Sequence, residues 1–153
     1  IFYVEKTVKD YKLARPAGIF GCSAGTCPEN VESLYSRMSR EAIIANLQAA
    51  HQVFTGGADD ALGLEDYVKT KDGGEEIVTV MVDSLSDTVV ALEALDGSLY
   101  DSVAEESEAC TEASTGAVCN VYYTLKGFTD RLKTNFLEVM DLELPASATG
   151  DSD

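Results

Sequence analysis

Apolar side chains recur along this chain at helical spacing. Ile1, Val4, Val8 and Tyr11 follow an i, i+3/i+4 rhythm, and Pro16 with Gly18 ends it. A second helical stretch starts near Pro28, carries a possible break at Ser39 and runs to about Thr55; Ile43, Leu47, Ala50 and Phe54 share its apolar face. Gly56-Gly57 stops it. A short helix is predicted from Leu64 to Lys69, then a long one from about Glu75 to Leu95 with Ile77, Met81, Leu85, Thr88, Leu92 and Leu95 as its stripe. Leu99, Val103 and Cys110 suggest another. The clearest helix follows, striped by Val121, Leu125, Phe128, Leu132, Phe136 and Val139. Strand signals are weak: the β-branched run Val78 to Val82 sits inside a helical period. The pattern predicts an all-α fold, an up-and-down helical bundle of four to five helices. It occupies residues 1–145 as a single domain, followed by a loosely held polar tail over 146–153, without an internal repeat or interdomain linker.

Composition narrows this further. The 153 residues are 45% hydrophobic, enough for one domain with a real core. Twenty-seven acids against 11 bases give a formal net charge of −16. A field of that sign repels nucleic acid and anionic membrane, and it favours cations. No apolar run approaches the ~20 residues of a membrane span. No signal peptide is visible, and the chain opens at Ile1 inside a helical pattern, as a processed chain or a piece of a longer one would. Four cysteines allow three connectivities. Cys22 with Cys27, and Cys110 with Cys119, each bracket a turn-rich loop, so the local pairings are the natural ones. Zinc is the rival, but the spacings fit it poorly and His51 is the only imidazole. Disulfides imply an oxidising compartment.

The stretch "VESLYSRMSREAIIANL", residues 31–47, sets acid, hydroxyl and amide groups among apolar ones. On one continuous helix Glu32, Ser36, Ser39, Ile43 and Asn46 would form a single stripe. Such a stripe faces water, caps a break or faces a second polar body. The residues alone favour the plain uses: Ser39 as N-cap of a helix starting at Arg40, Glu32 near a helix N-terminus after Pro28, and Asn46 on the surface. His51, at the edge of the apolar face near Phe54, reads as structural or exposed. Three turns of helix part it from Ser39, so no Ser/His/acid triad forms. The acid pairs Asp59-Asp60, Glu75-Glu76, Glu105-Glu106 and Asp151/Asp153 read as solvated surface; the last lacks the Gly and downstream Glu of a calcium loop.

Taken in order, "KLARPAGIF", "VESLYSRMSREAIIANL", "VFTGG…GLEDYV", "TVVALEALDGSLYDSV" and "YYTLKGFTDRLKTNFLEVMDLELP…GDSD" resemble the imelysin family. That family comprises periplasmic or cell-surface helical proteins, also described as imelysin-like peptidases and linked to iron regulation. The resemblance is to the C-terminal half of the family domain, in which two helical bundles join face to face around a cleft. It implies that Glu32, Ser33, Ser36, Ser39 and Asn46 are this half's contribution to the cleft. It also implies an N-terminal half, or another subunit, as partner. The family's Gly-x-His-x-x-Glu motif belongs to that other half; around His51 the text here is "AAHQVF".

Three functions follow. One is an extracytoplasmic binding module that shares a divalent metal or iron, or another ligand, with a histidine-bearing half. A second is a structural subunit of a surface assembly. As half of a metallopeptidase the chain offers Glu32 as a base but no ligand set, so hydrolysis by this chain alone is not expected. Neither nucleic acid nor membrane insertion is expected.

Overall fold

The computed structural model describes residues 1–23, 25–58 and 61–144. Asp59-Asp60, the tail 146–153 and its Asp151/Asp153 pair lie outside the described residues.

The architecture is an all-α bundle, and no strand occurs among the described residues. An N-terminal helix spans Val4–Ala14. Helix α1 spans Ser39–Thr55, α2 Leu64–Lys69, α3 Gly74–Glu93, α4 Leu99–Glu105 and α5 Ala117–Arg131. The last continues without interruption through Leu132–Phe136 into α6, Leu137–Met140. Four long helices close a ring: the N-terminal helix packs on α1 and α5, and α3 packs on the same two. The Arg40 guanidinium donates to the Leu95 carbonyl at 2.9 Å, so the start of α1 meets the end of α3 and the two run antiparallel. Short α2 packs on α1 and α3, and α4 on α5.

The apolar stripes explain the packing. Ile43, Leu47 and Phe54 of α1 are buried against Met81, Leu85 and Leu92 of α3 and Val121, Leu125, Phe128, Leu132 and Phe136 of the last helix. Phe54 and Phe136 rings tilt together with centroids 6.3 Å apart. The N-terminal helix departs from expectation. Its turns are widened to i→i+5 bonding, as in Arg15 N–H to Asp10 O and Ile19 N–H to Ala14 O. The i→i+5 ring closes over one residue more than an α-turn and lengthens the period, so the buried line becomes Val4, Val8, Leu13 and Ala17, spaced by four, five and four. Tyr11 is thereby rotated out, 57% exposed, where a 3.6-residue period had placed it on the core face.

The predicted helix from Pro28 is also corrected. Pro28–Asn30 makes one 3-10 turn, turns follow, and α1 starts only at Ser39. Arg37 sits in the left-handed region at φ 58°, which no continuous right-handed helix can pass through. Likewise the helix from Leu99 stops at Glu105, and Cys110 lies in the loop beyond it. The C-terminal end of α1 is as expected: Gly56 adopts φ 88° and its N–H closes on the Gln52 carbonyl at 2.8 Å.

Candidate functional site

Because α1 starts late, Glu32, Ser33, Ser36, Ser39 and Asn46 do not form one helical stripe. The structure sorts them into three settings. Ser39 is buried, and its Oγ accepts the Ser33 N–H at 2.8 Å. The helix begins at Ser39 itself, after Met38, so this hydroxyl ties the preceding turn to α1 instead of capping a helix at Arg40. Ser36 points to solvent beside Tyr35, which is 96% exposed. The turn that presents them is held by Arg37, whose guanidinium lies 3.4 Å from the centroid of the Tyr100 ring.

Glu32 and Asn46 do come together, on a residue that pattern reading missed. Lys12 of the N-terminal helix reaches between them. Its Nζ donates to Asn46 Oδ1 at 2.8 Å and pairs with Glu32 Oε2 at 3.0 Å. Tyr3 donates its hydroxyl to the same Asn46 oxygen at 3.3 Å, and Lys12 Nζ lies 5.9 Å from the Tyr3 ring centroid. The Lys12 side chain is 7% exposed while that of Glu32 is 48% exposed. The result is a buried cation holding a half-exposed carboxylate and an amide in fixed positions, with three segments contributing. A shallow apolar groove of about 210 Å³ opens beside Asn46, between Ile1, Tyr3 and Val4 on one side and Ala49, Ala50 and Val53 on the other.

A second ionic cluster lies deeper on the same helix. Lys9 and Glu5 are wholly buried and pair at 3.4 Å; Lys9 also meets Asp10 Oδ1 at 3.1 Å. Lys133, on the last helix, reaches across to pair with Glu5 at 2.9 Å. Lys9 Nζ stands 5.7 Å from the Tyr122 ring. Charges taken this far from water persist only when paired, and these are. The signal for both clusters was available: Lys6, Lys9, Lys12 and Arg15 place four bases in the first fifteen residues of an acidic chain.

The cysteines are bonded locally, Cys22 with Cys27 and Cys110 with Cys119. The two stapled loops lie against each other. Cys110 N–H donates to the Ala17 carbonyl at 3.0 Å, and Thr26 Oγ1 to that of Glu106 at 2.5 Å. Gly18 permits this contact: it has φ 82°, and a Cβ there would stand 1.7 Å from the Gly25 carbonyl oxygen. Glu106 Oε1 in turn accepts the Val118 N–H at 2.8 Å at the start of α5. His51 is half-buried and lines a groove between α1 and α3. Glu41 and Asp101 are held below the usual carboxylate range. For Glu41 the cause is its backbone N–H in the first turn of α1, helped by Arg40. For Asp101 it is the Ser98 hydroxyl and then the Ser98 N–H.

No group of three His, Cys, Asp or Glu side chains among the described residues is placed to hold a metal ion. No helix among them is long and apolar enough to cross a membrane. A family model described as "Peptidase_M75: Imelysin" matches residues 6–126, most of the chain. No curated protein and no solved structure matches it.

Proposed function

The chain belongs to the imelysin family, and from that premise we propose that it is an extracytoplasmic binding module whose Lys12-centred face meets a histidine-bearing helical half. Between them the two halves would bind a metal ion or another ligand. Two disulfides fit an extracytoplasmic setting. The observation that carries the reading is the nearly buried Lys12 ammonium, which fixes the Glu32 carboxylate and the Asn46 amide at a partly exposed face. Fixed polar groups of this kind orient a partner's side chains at small entropic cost. Beside them the exposed Tyr35 and Ser36 supply contact area with a polar edge.

The described residues do not fit a metal by themselves. Among them three donors are not assembled, and the Lys12 ammonium 3.0 Å from Glu32 Oε2 opposes a second cation at that carboxylate. Metal ligands would therefore come from the other half, with Glu32 and Asn46 orienting them through hydrogen bonds. No hydrolytic step is assigned to this chain.

The test is to mix the chain with a histidine-bearing imelysin-family half, then measure sedimentation and titrate with iron(II) and zinc by calorimetry. A complex should form, and metal uptake should require it. Tyr35→Ala with Ser36→Ala should weaken the complex at unchanged circular dichroism. No complex, or one indifferent to that pair, refutes the proposal.

A further inference from the structure

On the other flank of α1 from Asn46, a trough runs between α1 and α3. Its middle, about 480 Å³, has Leu47, Leu85 and Val89 as floor and Gln48, His51 and Ser86 along its walls. The His51 ring and Gln52 also line a second hollow of about 520 Å³ at the C-terminal end of α1, closed by Glu65 and Asp66 of α2. The trough thus adjoins the second hollow through His51 and Gln52. At its opposite end helical spacing brings in further carboxylates. Glu41 shares the stripe of Gln48 and Gln52 at i, i+7 and i+11, and Glu93 that of Ser86 and Val89 at i, i+3 and i+7. Helix α3 carries five carboxylates, Glu75, Glu76, Asp83, Asp87 and Glu93, and neither lysine nor arginine. Two of the end carboxylates already have a base: Arg40 is bound to Glu41 and the Leu95 carbonyl, and Lys69 to Glu65. Val90, 64% exposed, extends the apolar surface at its rim.

The arrangement is an apolar floor, hydrogen-bonding walls without a carboxylate, and acids at both ends. We propose that this trough docks a short cationic amphipathic helix of a partner polypeptide, with apolar side chains on Leu47, Leu85 and Val89 and Lys or Arg toward the carboxylates at each end. Antiparallel helices leave such a groove for a third, and an apolar face laid into it is a recurrent way of reading a helix. From Glu41 to Thr55 the trough is about 21 Å long at 1.5 Å per residue, which suits a ligand helix of roughly fourteen residues. The charge excludes an acidic ligand segment, and it disfavours a second copy of this acidic chain.

The experiment is fluorescence anisotropy at physiological salt with a labelled four-turn Leu/Lys amphipathic helix as probe. The wild-type chain should bind it saturably, and a charge-matched probe with Ser in place of Leu should not bind. Ser86→Arg should weaken binding about tenfold. Asn120→Arg, the same charge change on exposed surface of α5, should change it less than about twofold. Val89→Glu decides the point. It adds negative charge, so a mere acidic field would bind the probe more tightly, whereas loss of the apolar floor should weaken it about tenfold. Tighter or equal binding by Val89→Glu, equal loss in both arginine variants, or no saturable binding overturns the proposal. So does a sedimentation shift without probe that Ser86→Arg abolishes, because the occupant would then be a second copy.

Discussion

The Lys12 pair makes an asymmetric prediction. Lys12 is the buried partner, 7% exposed, and Glu32 the half-exposed one at 48%. Lys12→Met keeps the apolar stem and removes the charge. What remains is a Glu32 carboxylate that can rehydrate and an Asn46 oxygen that still accepts from Tyr3. Two charge-assisted contacts are lost, but so is the cost of burying the ammonium, which leaves a net of about 1–2 kcal/mol. Glu32→Gln changes only the exposed partner, yet it leaves an ammonium in a nearly dry site with neutral acceptors and no counter-charge. Removing one side of a buried pair costs about 3–5 kcal/mol, and partial access to water brings this toward about 3 kcal/mol. The more exposed residue should therefore be the more damaging one to change. Urea unfolding followed by far-ultraviolet circular dichroism measures both variants, and the double variant Lys12→Met/Glu32→Gln should lie close to Lys12→Met alone. The reasoning fails if Glu32→Gln costs no more than Lys12→Met.

The other predictions are more local. Leu132 is fully buried, so Leu132→Ala should cost about 2–5 kcal/mol in the same assay. The Cys110–Cys119 loop, with a sequence separation of 9, should lose about 2–3 kcal/mol when both cysteines become Ala, and the Cys22–Cys27 loop, with a separation of 5, somewhat less. Asp101 is held below its ordinary value by Ser98. Its stabilising effect is therefore fully present above the unfolded carboxylate range and fades as pH falls through the lowered folded value. Asp101→Asn should lower stability at neutral pH and flatten that part of the acid limb, as thermal melts across pH 2–6 would read directly.

What the sequence made legible follows from which forces are local. The α3 stripe Met81, Leu85, Thr88 and Leu92 and the last helix's Val121 to Phe136 are buried as their spacing predicts, because regular helices convert sequence period directly into a face. Two local loops brought the right cysteines together for the same reason. The N-terminal helix defeated the reading at Tyr11 because widened turns change the period itself. The 28–55 stretch defeated it because a hydroxyl-rich segment serves equally as helix surface or as turn. Here Arg37 in the left-handed region, stacked on Tyr100 from a distant helix, decides for the turn. The meeting of Glu32 with Asn46 was invisible for a further reason: a third residue, Lys12, makes it, through tertiary packing that no spacing along the chain encodes.

The placement of the bases also alters what the net charge means. A formal −16 suggests acids and bases mixed over the surface with acids in excess. In the fold, Lys9 and Lys12 are withdrawn from solvent, and Lys133 is largely so at 16% exposure. They are matched there by Glu5 and Asp10, which are buried as well, and by Glu32. Neutral in sum, that interior network leaves the excess of carboxylates outside while removing cations that would have diluted it. Several outer cations are partly screened too: Arg15, Arg37 and Lys71 each stand over a tyrosine ring. The outer field is thus more uniformly anionic than composition implies, most of all along α3, where no base interrupts five acids. Association of a cationic helix there should be fast at low salt and slow steeply between about 0.05 and 0.5 M, as the Debye length shrinks below the width of the trough. Apolar burial on Leu47, Leu85 and Val89 is not screened, so dissociation should change little over the same range. A stopped-flow association rate indifferent to salt over that range would place the attraction in the floor and not in the acids at its ends.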